Sequence, residues 1–101
     1  MRRVRFIEPA DVELEEAISY FDRQVMGLGA RFQHEVENTV ALIVDYPEIG
    51  APLTKHLRKF RVRKFKHKII YALDADEIVI IAVAPPKKRP NYWRRRISPK
   101  P

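Results

Sequence analysis

The stretch His56–Ala84, HLRKFRVRKFKHKIIYALDADEIVIIAVA, decides the fold, because its apolar residues follow a period near two rather than 3.6. In His56–Arg63, Leu57, Phe60 and Val62 are set among basic residues, which predicts a strand with a charged solvent face. Lys68–Leu73 and Glu77–Ala84 read as two further strands, divided by the turn residues Asp74-Ala75-Asp76. Ile78–Ala84 is apolar on both faces, as a central strand requires. Pro85-Pro86 then stops the pairing, and a basic tail follows.

Upstream of this stretch the period is helical. Ala10, Leu14, Ala17, Ile18, Phe21 and Val25 fall within an apolar stripe about 100° wide. Pro9 stands at its start, where a missing N–H is harmless. Asp11, Glu13, Glu15, Glu16 and Asp22 are assigned to the outer face, crowded toward the N-terminal turns that favour acids. Gly27-Leu28-Gly29 breaks this helix and begins another. Leu28, Phe32, Val36, Thr39, Val40 and Ile43 carry the second helix to about Tyr46, before Pro47 and Gly50. So short a connection makes the pair an αα-hairpin. Ahead of both, Arg3–Ile7 alternates basic and apolar residues like a half-buried strand. The expected order is β-α-α-β-β-β, an α+β fold with a helical hairpin packed on one face of an antiparallel sheet.

At 101 residues the chain has material for one core, read as a single domain over residues 1–97. Pro99 and Pro101 lead to the expectation that residues 98–101 fray. No internal repeat, low-complexity tract or linker interrupts the sequence. The absence of cysteine removes disulfides, thiolate catalysis and Cys-based zinc sites. His34, His56 and His67 lack metal-ligand spacing, so neither metal nor cofactor is expected. The apolar run Ile78–Ala84 is far shorter than the roughly 20 residues that cross a bilayer. A cytoplasmic protein with no membrane partner is the expectation.

Charge is divided sharply along the chain. Residues 1–50 hold five Lys or Arg against ten Asp or Glu, net −5, while residues 51–101 hold fifteen against three, net +12. A molecule so polarised steers an anionic partner to its basic end. The candidate binding residues are Lys59, Arg61, Arg63, Lys64, Lys68, Lys87, Lys88, Arg89, Tyr92 and Trp93, within a basic set that also includes Arg58, Lys66, Arg94, Arg95 and Arg96. Strand alternation would point Lys59, Arg61 and Arg63 the same way, with Lys68 alongside. Trp93 has a second reading, as a core plug that pins the tail to the sheet.

Carboxylate acid–base catalysis is disfavoured, since most acids are assigned to the helix exteriors and the remaining three to a turn. Ser-His-Asp spacing, a glycine-rich phosphate loop and zinc motifs are all missing. Metal-free RNA cleavage by a ribose 2′-OH stays open, because lysine, arginine and tyrosine together can supply a base, a proton donor and charge stabilisation.

The order of several motifs resembles the RelE/ParE toxin superfamily. These are Glu13–Phe21, Gly27–Phe32, Tyr46-Pro47-Glu48, Phe65, Ile69-Ile70-Tyr71, Ile78–Val83 and Arg89-Pro90-Asn91-Tyr92-Trp93, which together span nearly the whole chain. The resemblance implies the toxin of a bacterial toxin–antitoxin pair, neutralised by a cognate antitoxin in a hetero-oligomer. The hairpin with Gly27-Leu28-Gly29 is closer to the ParE-like, or plasmid-stabilisation, branch, which implies a non-enzymatic growth inhibitor that binds DNA gyrase. The RelE-like alternative is a ribosome-dependent mRNA endoribonuclease. It would place catalytic roles on Arg61, Lys68, Arg89 (or Lys88) and Tyr92. A third reading is a non-toxic, basic nucleic-acid-binding module, for which no helix-turn-helix signature speaks. The chain departs from the resemblance twice: Phe65-Lys66-His67 replaces a common Phe-Pro-Tyr, and Pro85 stands where many relatives carry a histidine.

Overall fold

The computed structural model describes residues 2–97. The expected fraying at residues 98–101 lies outside them.

After a first strand, β1 (Arg3–Phe6), α1 covers Glu8–Gln24 and α2 covers Leu28–Asp45. Pro9 occupies the first turn of α1, and Glu8 and Asp11 supply negative charge there. The reversal between the helices depends on two glycines. Gly27 takes φ 88°, a left-handed value that side chains disfavour. Gly29 lies where the helices touch: a Cβ there would overlap the Ile18 carbonyl oxygen. Its N–H donates to Asp22 Oδ1 at 2.8 Å, which ties the two helices at the turn.

Four more strands follow: β2 (Ala51–Pro52), β3 (Leu57–Arg61), β4 (Lys68–Asp74) and β5 (Glu77–Ala84). The sheet order is β1-β5-β4-β3-β2. The α+β architecture and the order of the expected elements hold, but the sheet is mixed: β1 runs parallel to β5, with Arg3 opposite Glu77 and Phe6 opposite Ile80. The physical reason is parity. Two antiparallel helices return the chain to the end of the sheet where β1 finished. Three reversing strands from there would leave the last one antiparallel to β1. The two-residue strand β2, antiparallel to β3 through Ala51–Lys59 and Pro52–Arg58, adds a fourth reversal and makes it parallel. Arg3, Val4 and Arg5 are exposed, as suits an edge strand.

The helices cover one face of the sheet. Phe32, Val36 and Ile43 pack there against Ile69, Tyr71, Ile78, Ile80 and Val83. The opposite face gathers Leu57, Ile70, Val79, Ile81 and Ala82 under Trp93. Ile81 and Ala82 are neighbours yet share a face, because the β4–β5 register slips between Ile70 opposite Ala82 and Tyr71 opposite Ile80. The unmatched Ile81 forms a bulge that shifts the alternation by one and turns Val83 back toward the helices. Trp93, on a 3-10 helix at Tyr92–Arg96, is only 4% exposed. Its structural reading as a core plug is therefore the one realised.

Tyr71 is fully buried and stitches the helix-to-sheet connection. Its hydroxyl donates to the Pro47 carbonyl at 2.7 Å and accepts from the Gly50 N–H at 3.0 Å. Burial pushes its ionisation above the usual tyrosine range.

Candidate partner interface

Strand pairing fixes where the basic residues stand. Leu57 and Ile70 belong to the face away from the helices, so alternation puts Lys59, Arg61 and Lys68 on that face too. Arg61 lies directly opposite Lys68, and both are exposed; Lys59, opposite Ile70, is half-buried. The Arg61 Nε donates to the Phe65 carbonyl at 2.8 Å, which holds the guanidinium over the strand end. Like charges placed opposite one another on a sheet are unfavourable. Arg58 points the other way and braces the chain before β2, where its Nη1 donates to the carbonyls of Gly50 at 2.7 Å and Glu48 at 3.1 Å.

Arg63 does not join this row. β3 ends at Arg61, and the Val62 N–H donates to the His67 carbonyl at 2.9 Å, closing a turn that carries Arg63 and Lys64. Lys64 takes φ 69° there. The expectation that Lys59, Arg61 and Arg63 share a face therefore fails at its last member, because strand alternation stops where strand dihedrals do. His67 ends the same turn, 8% exposed, with its ring 4.9 Å from Phe32 and 5.5 Å from Phe21. Its Nδ1 has no hydrogen-bond partner among the described residues. Burial lowers the imidazole's affinity for a proton, and the charge of Glu13 opposes that only in part.

Lys87, Lys88 and Arg89 are exposed beyond Pro85-Pro86. The Lys88 ammonium lies 5.4 Å from the Tyr92 ring centroid, and the Arg96 guanidinium 5.1 Å from it. Tyr92 itself turns to α1. Its hydroxyl donates to Glu13 Oε2 at 2.5 Å, while the Arg96 guanidinium grips the same carboxylate with two nitrogens, each at 2.8 Å. Glu13 Oε1 also accepts the Val83 N–H at 3.0 Å. Burial and then the bond to Glu13 push the Tyr92 phenol well above its ordinary ionisation range. The bond to Glu13 likewise secures the positive charge of Arg96.

The expectation of Glu13 on the outer face of α1 does not hold, since its side chain is only 11% exposed. The signal is present in the helix period. Glu13 lies three residues after Ala10 and four before Ala17, both buried, so it borders the apolar stripe. The arrangement thus brings Arg61 and Lys68 together on the sheet and turns Tyr92 to Glu13 and Arg96 on the α1 side. Arg89 forms no hydrogen bond or ion pair through its side chain among the described residues.

The helical hairpin laid on a five-stranded mixed sheet is a fold shared with solved proteins of toxin–antitoxin systems. It superposes with a TM-score of 0.72 on a chain of the "Chromosomal ParDE TA system from P. aeruginosa", at 11% identity over 83% of this chain and 95% of that one. On a chain of the intact E. coli RelBE toxin–antitoxin complex the TM-score is 0.65, at 15% identity over 87% and 100% of the two chains. The sequence carries the assignment further. Residues 4–97 match the family described as "ParE toxin of type II toxin-antitoxin system, parDE". Toxin ParE2 of Mycobacterium tuberculosis, in strains CDC 1551 and H37Rv, is 30% identical over 98 residues, or 96% of this chain and 93% of the relative. The chain belongs to the ParE toxin family of type II toxin–antitoxin systems.

Proposed function

We propose that this chain arrests growth in the bacterial cytoplasm by binding DNA gyrase, performs no chemistry of its own, and is neutralised by a cognate antitoxin. The observation that carries the non-enzymatic reading is the state of Tyr92. Metal-free RNA cleavage needs a group that readily gives a proton to the leaving oxygen. The Tyr92 proton is instead donated to Glu13, and burial together with that bond keeps it on the phenol although the charge of Arg96 works the other way. The phenol works as a strut between the C-terminal turn and α1. Family membership supports the same reading.

Arg61 and Lys68, opposite and exposed, provide the positive surface on which an acidic region of a target can rest. Purified chain in micromolar excess is expected to inhibit gyrase supercoiling; unaffected supercoiling overturns the reading. The same pair of cations also suits a phosphate backbone, which is the feature that favours the mRNA-cleaving alternative. Tyr92→Phe separates the two: a nuclease relying on that phenol loses its toxicity, whereas the strut role lowers toxicity only as far as it lowers the folded fraction.

A further inference from the structure

A groove of about 440 Å³ lies between α2 and the end of β3, within the range of about 300–1,000 Å³ that binding pockets occupy. Steps of three or four residues along α2 put Glu35, Asn38, Thr39 and Leu42 on its helical wall. Phe60 and Val62 line the facing side, together with the cations Arg61, Arg63 and Lys64. None of the three cations forms an ion pair among the described residues. The helical row continues past the groove. Tyr46 stands four residues after Leu42, and the Ile49 N–H donates to the Tyr46 carbonyl at 2.9 Å. Leu42, Tyr46 and Ile49 are 37%, 62% and 38% exposed, so an apolar row leads from the groove along the surface.

The edge of β3 beside this groove is open. On that edge the Leu57 carbonyl accepts the Leu53 N–H, and Lys59 pairs with Ala51. Backbone groups alternate sides along a strand, so those of Arg61 turn to the same edge. There β2 has already ended, and Arg61 faces no strand on that side among the described residues.

We propose that an extended, acidic segment of gyrase docks in this groove, its apolar side chains on Leu42, Tyr46 and Ile49 and its carboxylates over Arg61, Arg63 and Lys64. The proposal rests on the reading of the chain as a gyrase inhibitor and adds the place and chemistry of the contact. Charge complementarity selects an acidic occupant, since three unpaired cations face the single carboxylate of Glu35. The apolar row selects a protein over a nucleic acid. Asp45 and Glu48, exposed next to Tyr46 and Ile49 in the chain, would repel a phosphate backbone along that row. The open edge at Arg61 selects an extended segment, whose backbone finds an N–H and a carbonyl to pair with.

The test uses the full chain and intact gyrase in a supercoiling assay, with the melting transition of each variant read alongside. Leu42→Asp combined with Tyr46→Asp is expected to raise the concentration for half-inhibition at least tenfold. Arg61→Glu combined with Arg63→Glu is expected to raise it by a similar factor. Met26→Asp, on the hairpin tip and 94% exposed, is the control and leaves inhibition unchanged. Hydrogen–deuterium exchange on the wild-type chain gives a readout independent of any variant, with added protection by gyrase expected at residues 46–50 and 61–64. Folded groove variants that inhibit like wild type, or protection confined to other surfaces, overturn the groove assignment alone. Protection of the same residues by ribosomes and not by gyrase overturns the choice of occupant. A wild-type chain that leaves supercoiling untouched removes the gyrase reading itself, and this proposal with it.

Discussion

Replacing Glu13 with Ala should destabilise the protein more than any other change to an acidic residue. The carboxylate accepts from the Val83 N–H, the Tyr92 hydroxyl and the Arg96 guanidinium, and joins α1, β5 and the C-terminal turn at one point. Side-chain exposures of 11% for Glu13 and 19% for Arg96 leave little water to compensate. Breaking a buried pair by removing one partner costs about 3–5 kcal/mol, and the residual exposure of Arg96 argues for the lower end, about 3 kcal/mol. In a domain of this size that corresponds to a fall in Tm of roughly 12–24 °C. Glu13→Gln keeps one acceptor and should lose about half as much. Urea titrations followed by circular dichroism at neutral pH measure both, with near-ultraviolet signal reporting the seating of Trp93. The double change Glu13→Ala with Arg96→Ala should cost less than the sum of the single changes by at least about 1 kcal/mol. A Glu13→Ala protein within about 1 kcal/mol of wild type would refute the reasoning.

Three other outcomes are expected. His67 binds its proton more weakly in the folded chain than its usual value near 6.5, so the unfolded state takes up a proton that the native state refuses. Its contribution is therefore complete above about pH 6.5 and is lost as pH falls toward the lower native value; His67→Phe should flatten the urea midpoint between pH 7.5 and 5.5, and an unchanged slope counts against it. Gly29→Ala forces a methyl into the Ile18 carbonyl and should cost about 1–3 kcal/mol in a thermal melt, which a wild-type Tm would contradict. Lys68→Thr relieves the charge opposite Arg61 and should raise stability by about 0.2–1 kcal/mol, so a lower Tm would show that the pair is not strained.

Much of the fold is legible in the sequence because its signals are local. The strand Glu77–Ala84 is bounded by turn residues on one side and Pro85 on the other, and it lies as expected. The helix pair announces itself through its apolar stripes and the intervening glycines. The features that leave no sequence signal are long-range. Ala51–Pro52 is too short to show a period, yet it reverses the chain once more and makes β1 parallel to β5. The Ile81 bulge is hidden inside a continuous apolar run, where a change of phase leaves no trace in residue type. At the basic surface, Arg61 and Lys68 follow from alternation, and Arg63 departs from it because the strand ends two residues earlier. Glu13 shows the limit most clearly. Its position beside the stripe is readable, but its role depends on Arg96, 83 residues away, which periodicity within one helix cannot see.

Growth arrest through gyrase, without cleavage of messenger RNA, is tested most directly by incorporation of labelled thymidine and labelled methionine during the first minutes after induction in bacteria. DNA synthesis falling first, with cells filamenting while translation continues, is the predicted result. Protein synthesis collapsing first would contradict the gyrase reading and return Arg61, Lys68 and Arg89 to consideration as catalytic groups.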